Sequence, residues 1–160
     1  NQIYDGRNHR ETRIKNMTTE KIDVKGFVTI EIGSNGNVDS THHIRNLVTN
    51  QGKEFFTQRI FGTANTDIDS IAIGSGSVPA TESDVALSAQ TAILPIDSRT
   101  IEENTMTFFV PFPEGAGTGD VREVGLFDEN DVLLCRTVFL TPFNKAFSQF
   151  LNVSWKIQIG

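Results

Sequence analysis

The chain has 160 residues, of which 38% are hydrophobic, and it carries a formal net charge of −6. This length suits one domain and leaves little room for two. No apolar run approaches the ~20 residues of a membrane span and no secretory signal pattern stands at the start, so we predict no membrane partner. The single cysteine, Cys135, excludes an internal disulfide, and we predict that it is a buried structural thiol.

Charge is distributed unevenly along the chain. Residues 1–25 hold six Lys/Arg and four Asp/Glu, a net of +2, whereas the rest holds eight of the 14 basic and 16 of the 20 acidic residues, a net of −8. The acidic part repels nucleic acid, so we predict no nucleic-acid partner. Residues 1–25 lack strand and helix periodicity, which predicts an extended N-terminal arm before a single domain over 26–160. The candidate partner contacts in the arm are Arg7, Arg10 and Arg13.

A hairpin and a helix are predicted next. Residues 26–33 alternate as a strand, Asn35-Gly36 favours a type I′ turn, and the return strand over 38–45 would set Ile32 opposite Asp39 and Ile30 opposite Thr41. The helix is predicted over 51–61, with Asn50 as its cap and Gly62 as its end. It would cover one end or face of the sheets through a packed face that comprises Phe55, Phe56, Ile60 and the stem of Arg59.

Further strands follow at short intervals. We predict strands over 68–74, 92–101, 105–112 and 151–159, with loops over 75–83 and 113–119. With the two hairpins, this gives about eight strands and one short α-helix, and the predicted class is an all-β, mainly antiparallel β-sandwich or jelly roll.

The second hairpin, over 120–128 and 131–140, is apolar on both faces. A strand pair of this kind lies between two layers, one of which could be another subunit. With Glu129-Asn130 as the loop, Glu123 would lie directly opposite Arg136, and we predict that these two form a partly buried ion pair that fixes the register. Replacing Arg136 alone would then cost more than replacing both.

Three phenylalanines within a predicted polar loop over 141–150 are candidate contacts with a partner: Phe143, Phe147 and Phe150. Exposed aromatic rings are costly on a lone subunit, so this loop favours an assembly. The alternative is that the three rings plug the end of the sandwich.

Candidate sites of chemistry each lack a necessary part. His42 and His43 point to opposite faces of a strand, and Gly74-Ser75-Gly76 lacks the rest of a phosphate-binding fingerprint. Asp67, Asp69 and the turn Asp128-Glu129-Asn130-Asp131 offer oxygen ligands, but such residues are typical of turns and lack the EF-hand spacing. We therefore predict a non-enzyme with no catalytic residue, no cofactor and no metal site.

Three stretches together resemble bacteriophage virion proteins. They are 46–52 (NLVTNQG), 71–87 (IAIGSGSVPATESDVAL) and 121–128 with 134–139 (VREVGLFD, LCRTVF). The resemblance covers roughly residues 46–160 and implies a virion location and a structural role in a tail, tail fibre, collar, baseplate or capsid-attached position. It implies homo-oligomers, such as trimers or hexamers, in contact with other virion proteins. The alternatives are a receptor-binding module of a phage fibre that recognises a host glycan or protein, and a depolymerase.

Overall fold

The computed structural model describes residues 21–63 and 65–160. Most of the predicted arm, including Arg7, Arg10 and Arg13, lies outside the described residues. The first strand begins at Val24, two residues before the predicted start of the domain.

Within these described residues, ten strands form two five-stranded, mostly antiparallel sheets, and this confirms the predicted all-β sandwich-like fold. The first sheet, sheet A, has the order β2-β1-β10-β7-β6, and the second, sheet B, has the order β3-β9-β8-β4-β5. The elements are β1 Val24–Ser34, β2 Asn37–Arg45, β3 Leu47–Val48, α1 Asn50–Phe61, β4 Ile68–Gly74, β5 Gln90–Pro95, β6 Ser98–Glu102, β7 Thr105–Phe112, β8 Gly119–Asp128, β9 Leu133–Lys145 and β10 Gln149–Ile159.

The two strands beyond the predicted eight are the short β3 and a division of the predicted strand over 92–101. β5 ends at Pro95, and the chain then crosses between the sheets. The backbone N–H of Ile96 donates to Asp69 in sheet B, and the next N–H, from Asp97, donates to Phe109 in sheet A. β5 therefore joins sheet B and β6 joins sheet A, although polar and apolar residues alternate over the whole stretch 92–101.

The β1–β2 hairpin has the predicted turn and a different register. Asn35 and Gly36 have φ of 52° and 77°, as a type I′ turn requires. A β-bulge between Ile32 and Gly33 then shifts the pairing by one residue, so Ile32 lies opposite Ser40 instead of Asp39.

The β8–β9 hairpin also departs from its predicted register. Val132 lies in the turn, a bulge falls between Leu126 and Phe127, and Glu123 lies opposite Val138 while Arg136 lies opposite Gly125. Strand alternation predicts Leu133 on the face of Leu126 and Leu134 on the face of Phe127, and the bulge exchanges these two leucines. Leu134 packs in the main core between the sheets, whereas Leu133 packs in a second cluster with Phe127.

Helix α1 covers one end of the sandwich, as predicted, and we call this the helix end. Its rings Phe55 and Phe56 are buried in the main core. The cap is Thr49, not Asn50: the Thr49 hydroxyl accepts from the Gly52 N–H at 3.0 Å and donates to the Leu133 carbonyl at 2.7 Å. Gly62 ends the helix with φ of 79°.

Ile60 does not belong to the packed face of the helix, because its side chain is 66% exposed. The Arg59 guanidinium, in contrast, lies 5.4 Å from the centre of the Phe55 ring, so this side chain does cover the packed face. Only the first half of the helix is therefore inserted between the sheets.

Candidate functional site

The most concentrated buried charge among the described residues lies on the outer face of sheet B. We call it the charged latch, and it consists of Asp84, Glu123 and Arg136. Glu123 and Arg136 do form an ion pair, in which Arg136 Nη2 and Nε lie 2.7 and 3.1 Å from Glu123 Oε2. They are diagonal neighbours and not directly opposite, because the pairing differs by two residues from the predicted one. A shift of two keeps both side chains on the same face, so the pair survives the change of register.

The Glu123 carboxylate also fastens the loop over 75–89 to the sheet. It accepts backbone N–H groups from Gly76 at 3.1 Å, Ser88 at 3.0 Å and Ala89 at 2.7 Å. The loop that begins at Gly74-Ser75-Gly76 therefore binds an anion, and the anion is the chain's own carboxylate.

Arg136 holds the same loop at two further points. Its Nη1 donates to Asp84 Oδ2 at 2.6 Å, and its Nη2 donates to the Val78 carbonyl at 2.9 Å. Asp84 in turn accepts from the N–H and the hydroxyl of Thr81, which closes a tight turn. Sequence reasoning found Glu123 and Arg136 but missed Asp84 as their partner, although Thr81 and Asp84 show capping spacing.

The ionised forms of all three latch groups are stabilised. Burial by itself raises the pKa of Glu123, but the Ala89 and Ser88 amides and Arg136 outweigh it and hold that pKa below its ordinary value. Burial likewise raises the pKa of Asp84, and its bonds from Thr81 and Arg136 more than compensate. The Arg136 pKa is raised, because its two carboxylates overcome the effect of burial.

An apolar contact completes the cover of sheet B. Leu87 packs against Ala72, Phe127 and Leu133, which form a cluster separate from the main core. A loop of the same chain thus supplies the second layer over the β8–β9 hairpin. The apolar residues on this part of the hairpin are therefore explained without a second subunit.

A different kind of surface occurs at the helix end. An apolar groove of about 460 Å³ lies between α1 and the strands β6 and β7. Its lining includes Phe55, Ile68, Met106 and Ile159, and at its rim Ile60 and Ile101 are 66% and 76% exposed. We call this surface the helix-end groove.

The predicted loop with three phenylalanines is largely strand, because β9 continues to Lys145. Phe143 is partly buried against the core, with its ring 4.9 Å from that of Phe139, and Phe150 is also partly buried. Phe147 is 71% exposed. Only Phe147 of the three therefore presents most of its ring to solvent.

Lys145 is a buried lysine that sequence reasoning did not single out. Its Nζ donates to the Pro113 carbonyl at 3.0 Å, and burial lowers its pKa although Glu114 acts in the opposite direction. The position reads as part of a polar loop in the sequence, so no signal there indicated burial.

The remaining candidates have structural roles. The His42 ring packs on Phe143, while His43 Nδ1 lies 3.0 Å from the Thr29 hydroxyl on the other face. Cys135 is buried, as predicted, and burial raises its pKa to about 12. The Asp128 carboxylate accepts the N–H groups of Asn130 and Val132 within its own turn.

Two features are absent from residues 21–63 and 65–160. Within these ranges, no group of three or more His, Cys, Asp or Glu side chains is arranged to hold a metal ion. No helix there has both the length and the apolar character needed to cross a membrane.

Comparisons of the chain with protein-family models, with curated proteins and with solved structures find no match.

Proposed function

We propose that this chain is a structural subunit of a bacteriophage particle that assembles with further copies and with other virion proteins. Assembly would use its N-terminal arm and its exposed apolar side chains. The proposal starts from the resemblance of three stretches to phage virion proteins, and the described contacts give those stretches a common structural role.

The three stretches meet around one loop. The second stretch supplies Asp84, and the third supplies Glu123 and Arg136, the ion pair on which the loop rests. The first stretch leads into α1, where the Asn50 N–H donates to the Glu82 carbonyl at 2.7 Å. Residues of all three stretches thus take part in holding this loop on sheet B.

The observation that carries the proposal is an exposed leucine beside this layer. Leu140 stands on β9 with its side chain fully exposed, although most residues before it on the strand are buried. It borders a cavity of about 440 Å³ that Pro79 and Ala80 of the loop also line, and Val78 beside them is largely exposed. The cavity is also lined by polar side chains such as Arg45 and Arg122, and exposed apolar groups rimmed by polar residues favour contacts between proteins.

Sedimentation velocity on the full chain tests the assembly. We expect concentration-dependent oligomers, and we expect Leu140→Asp to shift the population toward monomer because a charge would be buried in the contact. Thr141→Asp, the same charge one residue along at another exposed site, is the matched control. A wild-type chain that stays monomeric at high concentration would overturn self-assembly.

Location tests the phage assignment separately. An antibody raised against the chain should label purified particles of the encoding phage at a fixed position. Absence of the chain from purified particles, while it accumulates in infected cells, would contradict the structural role.

A further inference from the structure

The helix-end groove is an incomplete part of the hydrophobic core. Phe55 and Ile68 on its floor are buried, whereas Ile101 and Ile60 at its rim are mostly exposed. Phe61, the last residue of α1, is 82% exposed next to Ile60. Exposed apolar side chains beside an apolar groove indicate that another apolar segment or surface binds there.

The described chain begins at the mouth of this groove. Asp23 and Gly160 exchange two backbone hydrogen bonds, at 2.6 and 3.0 Å, at the end of the β1–β10 ladder. The next pair is Val24 with Ile159, and Ile159 lines the groove. Residues 1–20 therefore join the sandwich beside the groove.

We propose that Ile14 and Met17 of this N-terminal segment fill the helix-end groove of their own chain. Ile14 stands nine residues before Asp23, and Met17 stands six residues before it. Because an extended chain spans at most ~3.6 Å per residue, Ile14 can reach about 30 Å from Asp23 and Met17 about 20 Å. Closing so short a loop costs less entropy than docking Ile3 or Tyr4 from the far end of the segment. The tether also keeps the effective concentration of the segment at its own groove high.

Charge is compatible with this arrangement. Arg99 lines the groove, and Arg59 there is paired with Asp67. The segment over 11–20 holds two acidic and two basic residues, a net charge of zero, so docking it brings no excess of positive charge to Arg99. The inference does not rest on the proposed phage role, and it leaves Arg7 and Arg10 free to contact a neighbour.

Cross-linking in the full chain tests the position of the segment. The pair Met17→Cys and Ile101→Cys should give a high yield of internal cross-link with a short bismaleimide, at monomer mass. The matched control pairs Met17→Cys with Ile93→Cys, which places the second thiol on edge strand β5, outside the groove. Cys135 does not compete, because it is buried and its pKa is raised to about 12. Equal yields for the two pairs, or products only at dimer mass, would overturn the proposal.

Dye binding gives a second readout. Ile14→Asp with Met17→Asp should uncover the groove and raise the fluorescence of anilinonaphthalene sulfonate several-fold over wild type. Ile3→Asp with Tyr4→Asp adds the same two negative charges at two apolar positions of the same segment, and it should leave the fluorescence near wild type. No difference between these double variants would contradict docking by Ile14 and Met17. Neither readout requires self-assembly, so a failure of the proposed function would not alter them.

Discussion

The outer faces of the two sheets differ in burial: that of sheet A is exposed to solvent, and that of sheet B is largely covered. On sheet A, buried residues alternate with outward polar ones along β1 and β10, such as Thr29, Glu31 and Lys156, so that face meets solvent directly. On sheet B, β4, β8 and much of β9 are buried on both faces. The difference arises from the loop over 75–89, which lies on sheet B alone.

This contrast shows what a loop needs in order to serve as a layer. A loop carries backbone amides that must find partners when they are buried, and an apolar sheet cannot supply them. Glu123 supplies acceptors for three of those amides, and Arg136 neutralises the carboxylate and binds the loop at Asp84 and Val78. The charged latch therefore makes the burial of the loop possible, and Leu87 adds the apolar contact.

The largest effect is expected from Arg136→Ala, which removes the only cation of the latch and leaves Glu123 buried without its counter-charge. Breaking one side of a buried ion pair costs about 3–5 kcal/mol, so the free energy of unfolding in urea should fall by that amount. Adding Glu123→Gln should recover part of the loss. Arg122→Ala, at a partly exposed arginine on the same hairpin, should change stability by less than about 0.5 kcal/mol. Similar losses for Arg122→Ala and Arg136→Ala would contradict the latch.

A smaller loss is expected from Gly76→Ala. A Cβ there would lie 1.8 Å from Ser88 Oγ and 2.3 Å from Glu123 Oε1, so the loop must move away from the carboxylate. We expect a loss of about 2 kcal/mol, the range for a disturbed buried hydrogen-bond network. Gly160→Ala is the control beside sheet A, because a Cβ there meets nothing within 4 Å. Equal unfolding midpoints for the two variants would show that the loop can move to accommodate the Cβ with no loss of stability.

Acid should weaken the cover of sheet B in a defined direction. The folded-state pKa values of Glu123 and Asp84 lie below their ordinary values of 4.5 and 3.8. Their stabilisation is therefore complete above the ordinary values and is lost as pH falls through the lowered ones. Urea unfolding at a series of acidic pH values should show a steeper loss for the wild type than for Glu123→Gln with Asp84→Asn. Parallel profiles would mean that other carboxylates govern acid unfolding.

The smallest effect belongs to sheet A. Lys156→Ala alters a side chain that is exposed on the bare outer face of β10, so stability should stay within about 0.5 kcal/mol of wild type. Urea unfolding of this variant sets the baseline for the latch variants. A loss comparable with that of Gly76→Ala would indicate that the outer face of sheet A is covered in solution.

Local sequence signals predicted most elements of this fold. Strands over 68–74 and 105–112 have the predicted bounds, and Asn35-Gly36 and Gly62 adopt the positive φ values that mark their turn and helix end. Pairing was harder to predict, because each bulge adds one residue to one strand. The bulge after Ile32 shifts β2 by one residue, and Gly33 at this point is a residue type that often marks a bulge but does not indicate which strand holds the extra residue.

The sequence by itself determined that the β8–β9 hairpin is buried on both faces and that Glu123 and Arg136 share one of them, because strand periodicity follows directly from the order of residues. Only the tertiary structure decided what covers that face. The contacts of Asp84 and Ser88 with the pair join residues 35 to 52 positions apart, and such contacts depend on how the whole chain packs. The helix-end groove has the same origin, since its lining comes from α1, β4, β6, β7 and β10, which are far apart in the sequence.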